Sequence, residues 1–366
     1  MQPEMRRGIA VFYRALLIMT VSGLAYGCTL PPLDPNGPLG GERVFVLNSW
    51  GESLSVIDHA TRSVARLVRL NGRPHGQIAS ADGRRLYVTT GGGQGEVIAL
   101  DTGSLNILWR LSVGKSLHQP ALTQDDRWLF VPDFRRDVLA VIDVGEARLD
   151  QQLPLGEGPH PLMSLHNAFA GGSGRFVYQT AVRSDAVARV DVDTRTIDRV
   201  YRLPGHPRPI ALLSDESRMY VQLSDLHGFI EIDLESGKET RRIEWPIPAG
   251  ATTGLDADIA AAMCHGLAIP PDETEIWAAS TLTQSVHILR LPDLVELAHI
   301  PLDGTPEWIA FSRDGNTGYI PLTAPHHAEG SVAVIDRNLR NVLAVLPVGP
   351  EPRRVLTVLV PTTPTP

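Results

Sequence analysis

The feature that most constrains this chain is a short apolar strand with an aromatic residue, which recurs seven times. The recurring aromatic positions are Phe45, Tyr87, Phe130, Tyr178, Tyr220, Trp277 and Tyr319. A second apolar strand follows each one, and in six of the seven repeats it ends in aspartate, at Asp58, Asp101, Asp143, Asp191, Asp233 and Asp336. The first five aspartates are 43, 42, 48 and 42 residues apart. This period is the length of four short antiparallel strands, which indicates a repeat protein built from four-stranded units.

The repeats predict an all-β fold, a seven-bladed β-propeller. Residues 43–70 supply three strands with no inner strand before them, whereas Pro352–Val360 supplies an inner strand with nothing after it. We therefore expect a three-plus-one closure, in which the C-terminal strand completes the first blade. Such a closure buries the two sheet edges that an open array would expose.

One repeat carries a recognisable pattern. It runs from Pro74-His75-Gly76 through Ala81-Asp82-Gly83 to Tyr87-Val88-Thr89-Thr90 and Asp101, and it resembles the blade of the YVTN family of β-propellers. The resemblance covers residues 42–360. It implies the propeller fold but leaves the activity open, because such propellers include binding scaffolds, cofactor-dependent oxidoreductases, lyases and lactonases.

The N-terminus has the pattern of a bacterial secretory signal. Three arginines precede the apolar stretch 15–25, and small residues follow. We predict a lipoprotein signal peptide over residues 1–27 with lipid attached to Cys28, although ordinary cleavage would leave a soluble periplasmic protein. Residues 28–41 then form a Pro/Gly-rich tether, 42–360 the propeller and 361–366 a disordered tail. The expected location is the periplasm-facing side of an envelope membrane, with the outer membrane preferred.

Composition limits the partners. The chain has 33 basic and 41 acidic residues, and the mature chain would keep 30 and 40 of them. Because no basic cluster is evident, nucleic acid is an unexpected partner. After the first thirty residues no apolar run is long enough to span a membrane, so we expect membrane contact through the lipid anchor only.

A polar or ionisable residue recurs at the start of each inner strand. This end of the blade is the face on which the loops between the second and third strands also lie. The recurring position lies seven residues before the turn aspartate in five blades and is placed by motif in the other two. The candidates are His75, His118, His160, Arg208, His265, Glu307 and Arg353, with His166 a rival for the place of His160. The histidines of two further loops, His227 and the pair His326 and His327, are expected over the same channel mouth.

These residues permit three interpretations. Polar side chains can simply line a wet channel. Alternatively, His75, His118 and His160 on consecutive blades could hold zinc or copper with an open coordination position. Finally, His265 and Glu307 could act as an acid–base pair. The first functional hypothesis is a non-catalytic propeller that binds an envelope protein or small ligand at this mouth. The alternative is a metal- or cofactor-dependent enzyme of lyase, lactonase or oxidoreductase type.

Overall fold

The computed structural model describes residues 37–157, 161–251 and 262–362 as seven antiparallel sheets, of which six have four strands and one has five. The predicted signal peptide, Cys28 and most of the predicted tether and tail lie outside these residues. Among the described residues, none of the helices has the length and apolar character needed to cross a membrane. In this part of the chain the helical content is confined to two 3₁₀ turns, Val182–Ser184 and Pro325–His327.

The strands follow the predicted blade order. Blade 1 begins with β1 (Gly41–Asn48), β2 (Ser53–Asp58) and β3 (Ser63–Arg69). Blade 2 contains β4 (Arg73–Ala79), β5 (Arg85–Gly91), β6 (Gly95–Asp101) and β7 (Ile107–Gly114). Blade 3 contains β8 (Ala121–Leu122), β9 (Trp128–Asp133), β10 (Val138–Asp143) and β11 (Arg148–Pro154). Blade 4 contains β12 (Leu165–Ala170), β13 (Phe176–Ala181), β14 (Ala186–Asp191) and β15 (Ile197–Arg202).

The remaining blades repeat this arrangement. Blade 5 contains β16 (Pro207–Leu212), β17 (Arg218–Leu223), β18 (Gly228–Asp233) and β19 (Glu239–Glu244). Blade 6 contains β20 (Cys264–Ala268), β21 (Glu275–Ser280), β22 (Ser285–Arg290) and β23 (Glu296–Pro301). In blade 7 the inner strand is split into β24 (Thr305–Pro306) and β25 (Ala310–Phe311), followed by β26 (Thr317–Thr323), β27 (Glu329–Asp336) and β28 (Asn341–Pro350).

The three-plus-one closure is confirmed. The last strand, β29 (Pro352–Val360), pairs antiparallel with β1, so that Phe45 lies opposite Leu356. Blade 1 therefore has the order β29, β1, β2, β3 and joins the two ends of the propeller through backbone hydrogen bonds. The pairing removes both edges that would otherwise be exposed.

The recurring aromatic side chains form the core between blades. All seven are buried, from Phe45 to Tyr319. Tyr87 of blade 2, for example, packs with Val97 of its own blade and with Leu129 and Val131 of blade 3. Because alternate residues of a strand point to opposite faces of the sheet, each second strand supplies apolar side chains to the interfaces on both sides of its blade.

Candidate functional site

The inner strands bring one equivalent residue from each blade to the channel mouth. In every blade the residue just before this position pairs with the end of the neighbouring second strand, as Pro74 does with Thr90 and Pro352 with Asn48. We call these seven residues the mouth ring. They are His75, His118, His166, Arg208, His265, Glu307 and Arg353. Six were predicted from the repeat alignment.

The blade 4 member is His166, the rival candidate, and His160 lies outside the described residues. Leu165 pairs with Ala181, which places His166 at the start of β12. The connection before this strand is longer than in the other blades except blade 6. Part of that extra chain packs inward at Leu162, which is fully buried. The sequence alone did not show how many of these residues belong to the connection.

Three imidazoles from consecutive blades lie together on one side of the ring. The ring centroids of His75 and His118 are 3.9 Å apart, and those of His118 and His166 are 4.6 Å apart. Phe134 stacks on His118 at 5.0 Å. In all three histidines Nδ1 is buried and has no hydrogen-bond partner. Burial, with the positive charges of nearby side chains, holds the pKa of each imidazole well below its usual value, so the rings are neutral at pH 7.

The proton on His166 can be placed from its neighbour. Nη1 of Arg208 lies 3.3 Å from Nε2 of His166, and a guanidinium can only donate. Nε2 therefore accepts, and the imidazole proton is on Nδ1. This N–H is buried and meets no acceptor. His166 thus presents a donor, which suits an anionic oxygen and does not suit a metal ion.

The opposite side of the ring carries an ordered acid–base pair. Nδ1 of His265 lies 3.0 Å from the Glu307 carboxylate and 3.1 Å from the Glu307 carbonyl oxygen. Burial lowers the pKa of His265 although Glu307 opposes this effect. Burial alone would raise the pKa of Glu307, but the His265 hydrogen bond and the charges of Arg353 and Arg354 lower it to about 2. A neutral His265 that donates from Nδ1 keeps a lone pair on Nε2.

A buried arginine that the sequence reasoning did not single out lies beside the ring. Arg354 is 1% exposed, stacks over Trp308 at 4.0 Å and donates from Nη2 to Asn167 across the channel at 3.4 Å. Its Nε and Nη1 have no hydrogen-bond partner. Burial lowers the pKa of Arg354 to about 9. The signal in the sequence was the pair Arg353-Arg354 at the start of the last inner strand.

The additional histidines divide between the rim and a blade interface. His327 stacks on Trp50 at 4.1 Å, and its Nδ1 lies 3.6 Å from Glu351, which accepts hydrogen bonds from Arg353. His227 is buried instead, with Nε2 bonded to Ser280 and its ring against Trp245. Of these two, His327 is linked by contacts to the mouth ring, whereas the contacts of His227 lie between blades 5 and 6.

Metal coordination is another role that histidines at the mouth ring could have. Across the described parts of the chain, no group of three or more His, Cys, Asp or Glu side chains is arranged to hold a metal ion. Cys264, beside His265, is buried, and burial raises its thiol pKa to about 12. It therefore behaves as a small apolar side chain.

No protein-family model matches the chain, and no curated protein matches its sequence. Solved structures do match its fold. The periplasmic gluconolactonase PpgL of Pseudomonas aeruginosa is 17% identical with a TM-score of 0.69, covering 87% of this chain and 99% of its own. A putative 6-phosphogluconolactonase of Bacteroides fragilis is 14% identical with a TM-score of 0.66, covering 87% and 98%.

The dihydro-heme d1 dehydrogenase NirN, in complex with DHE, is 14% identical with a TM-score of 0.62, covering 88% of this chain and 75% of its own. At such identities the likeness extends to fold alone. The narrower YVTN label is not confirmed by these matches. The chain is a seven-bladed β-propeller, similar in architecture to propellers with different activities.

Proposed function

We propose that this protein is an envelope-anchored propeller that binds an anionic group of a ligand at the mouth ring without catalysing a reaction. The observation that carries the proposal is a surplus of buried donors. Nε and Nη1 of Arg354 and Nδ1–H of His166 all lack acceptors. Leaving a buried donor unpaired is costly, and a buried charge is costlier still, so a ligand oxygen at this point would recover that free energy.

The charges near the ring agree with an anionic ligand. Arg208, Arg353 and Arg354 bring three guanidinium groups to the mouth. The carboxylates among them are Glu307, held by His265, and Glu351, held by Arg353. Arginine is suited to this task because its planar fork matches the oxygens of carboxylate or phosphate.

Binding of small polyvalent anions tests the proposal. The parent, lacking residues 1–27 and carrying Cys28→Ala, would be titrated calorimetrically with citrate and with phosphate. We expect saturable binding of at least one probe, and at least tenfold weaker binding by Arg354→Gln. Arg148→Gln, an exposed arginine at the start of β11, is the matched control. If the parent binds neither probe, or if Arg354→Gln binds as the parent does, the proposal is wrong.

The anchor is proposed from the sequence pattern at Cys28. The first described residues enter the propeller at the face opposite the mouth, where the Leu39 amide donates to Gly103 in the turn between β6 and β7. A tether attached to this face leaves the mouth open to the periplasm. Cys28→Ala should release the full-length protein from membrane pellets, and a variant that stays in the pellet through a high-salt wash would contradict the lipid anchor.

A second candidate function rests on the pair His265 and Glu307. Glu307 fixes Nδ1–H, so Nε2 of His265 could take a proton from water as the water oxygen attacks a lactone carbonyl. The ring C–O bond would then break, and the proton would return to the leaving oxygen. Arg353 and Arg354 would stabilise the oxyanion. Hydrolysis of glucono-1,5-lactone that falls about 100-fold or more in His265→Gln would favour this enzyme reading over simple binding.

The zinc or copper hypothesis also stays open as a proposal. His75 and His118 would have to turn their buried Nδ1 atoms toward one ion, with His160 as the third ligand. Metal per chain would be measured after dialysis against a weak chelator, in the parent and in His118→Ala. A stoichiometric ion that His118→Ala loses would support a metal centre, and a parent that cannot be loaded would end the hypothesis.

A further inference from the structure

We propose that the mouth face is a docking surface for an acidic segment of a polypeptide, which lies across blades 2 to 4 and inserts a carboxylate side chain into the mouth ring. This inference rests on the proposed function and names the partner of the same site. The distribution of exposed charges and apolar side chains around the mouth supports such a partner.

The loops and strand ends that surround the mouth are divided by charge. From the end of blade 1 through blade 4, the exposed basic residues are Arg69, Arg73, Lys115, Arg135, Arg136, Arg183 and Arg202. The exposed acidic residues of the same sector are Glu52 and Glu157. We call this part of the face the basic sector. The part of blades 5 to 7 that the structure describes carries exposed acids instead, at Asp225, Glu244, Asp303 and Glu329.

The division continues into the mouth ring. His75, His118 and His166, with the donor on His166 Nδ1, belong to blades 2 to 4, on the side of the basic sector. The carboxylate of the ring, Glu307, belongs to blade 7. An acidic segment that lies along the basic sector would therefore bring a carboxylate to the His166 Nδ1–H, a buried donor without an acceptor. An acidic chain on the opposite side would meet carboxylates of its own sign.

Several basic side chains keep donors available. Arg136 donates to the carbonyl of Val113 and to Gln152, and Arg202 donates to the carbonyl of Ser184. Neither contact is with a carboxylate. Within the described residues, Lys115, Arg135 and Arg183 form no ion pair. Because ion pairs do not neutralise these basic residues, they can attract an acidic partner locally even though the whole protein has a net charge of −8.

Exposed apolar side chains stand among these charges. Trp50 at the edge of the basic sector is 44% exposed, and Met163 before β12 is 41% exposed. Arg73 lies over the Trp50 ring at 4.1 Å. Tryptophan, methionine and arginine are the residue types enriched in protein interfaces. A small anion would need only the central donors, whereas this spread of charged and apolar contacts suits a polypeptide.

The test uses a fluorescein-labelled peptide of eight glutamates, with eight lysines as its counterpart, and fluorescence anisotropy in 50 and 200 mM NaCl. We expect the parent to bind octaglutamate only, with affinity falling at least tenfold at the higher salt. The double variant Arg135→Glu and Arg183→Glu should bind octaglutamate at least tenfold more weakly. Arg148→Glu with Arg313→Glu is the matched control, because it changes net charge equally at the opposite face.

The outcomes separate this inference from the proposed function. The charge-reversal variant should still bind citrate or phosphate as the parent does. If the parent binds a small anion but not octaglutamate, or if the control pair weakens the peptide as much, the docking surface is wrong and the binding function stands. Equal binding of an eight-nucleotide thymidine strand would make the sector a general polyanion surface and would overturn the assignment. If no anion binds, both proposals fail.

Discussion

The two faces of the propeller use repeated polar residues in opposite ways. On the face away from the mouth, the aspartates that end the third strands satisfy their own turns. Asp58 accepts from the amide of Thr61, Asp191 from the amide of Thr194, and Asp336 from the amide of Leu339. At the mouth, the repeated positions carry donors and acceptors without partners, as at His75, His118 and His166.

The difference between the two faces distinguishes polar residues that stabilise the fold from polar residues that are available to the proposed ligand. An aspartate that bonds to amides two or three residues away stabilises a turn in any blade, so the same residue recurs. A buried polar group without a partner destabilises the protein, and the proposed ligand would supply the missing partner. Even blade 6, which lacks the aspartate, satisfies its turn through Arg290 and Asp293.

The largest loss of stability is expected when the closure of the first blade by β29 is removed. Deleting residues 350–366 should abolish the cooperative unfolding transition, because β29 supplies the inner strand of blade 1 and its loss exposes β1. Thermal unfolding followed by circular dichroism would measure this. Deleting residues 361–366 should keep the parental transition, because β29 remains. A parental melt in the longer deletion would contradict the importance of the pairing.

The second effect concerns pH. Burial depresses the pKa of His75, His118 and His166, so the folded state resists protons that the unfolded state binds below about pH 6.5. The free energy of unfolding should therefore fall as pH drops from 7 to 5, by on the order of 1 kcal/mol for each histidine. The triple Gln variant should show a flatter profile in urea titrations. An equally steep profile would mean that these imidazoles take up protons when folded.

The third effect compares the two faces directly. Asp191→Ala removes bonds to the amides of Asp193 and Thr194 and an ion pair to Arg175. It should lower the free energy of unfolding by about 1–2 kcal/mol. His166→Asn should cost less than half as much, because one of the imidazole nitrogens has no partner to lose. A larger cost at His166 would show that the mouth stabilises the fold as the turns do.

The smallest change in the free energy of unfolding is expected at Arg354, where substitution should not lower stability as it does at the other positions. Arg354→Met removes a buried charge without a direct ion pair and can keep the apolar contact with Trp308. The free energy of unfolding should stay unchanged or rise by up to about 1 kcal/mol. Chemical denaturation of parent and variant would measure it. A loss of more than about 1 kcal/mol would place Arg354 among the structural residues.

Much of the fold followed from the sequence because it is repetitive and local. The aromatic strands and the turn aspartates were predicted from periodicity, and the closure of the first blade by the last strand was predicted from the count of strands. The sequence did not decide between His160 and His166 as the blade 4 member of the mouth ring, because an irregular connection has no repeating pattern that would show its length. The side-chain contacts of the mouth were also outside what periodicity can indicate, since they join residues from blades that are far apart in the chain.

Periodicity in the sequence is enough to predict a seven-bladed propeller with a polar residue at the start of every inner strand. The tertiary structure is needed to know which of those residues meet, which nitrogen of His166 holds the proton and that Nε and Nη1 of the buried Arg354 have no acceptor. These two kinds of information differ in how far apart in the chain the interacting residues lie. Strand and turn patterns depend on neighbours in the chain, whereas burial, pKa and unsatisfied hydrogen bonds depend on what seven separate strands bring to one point.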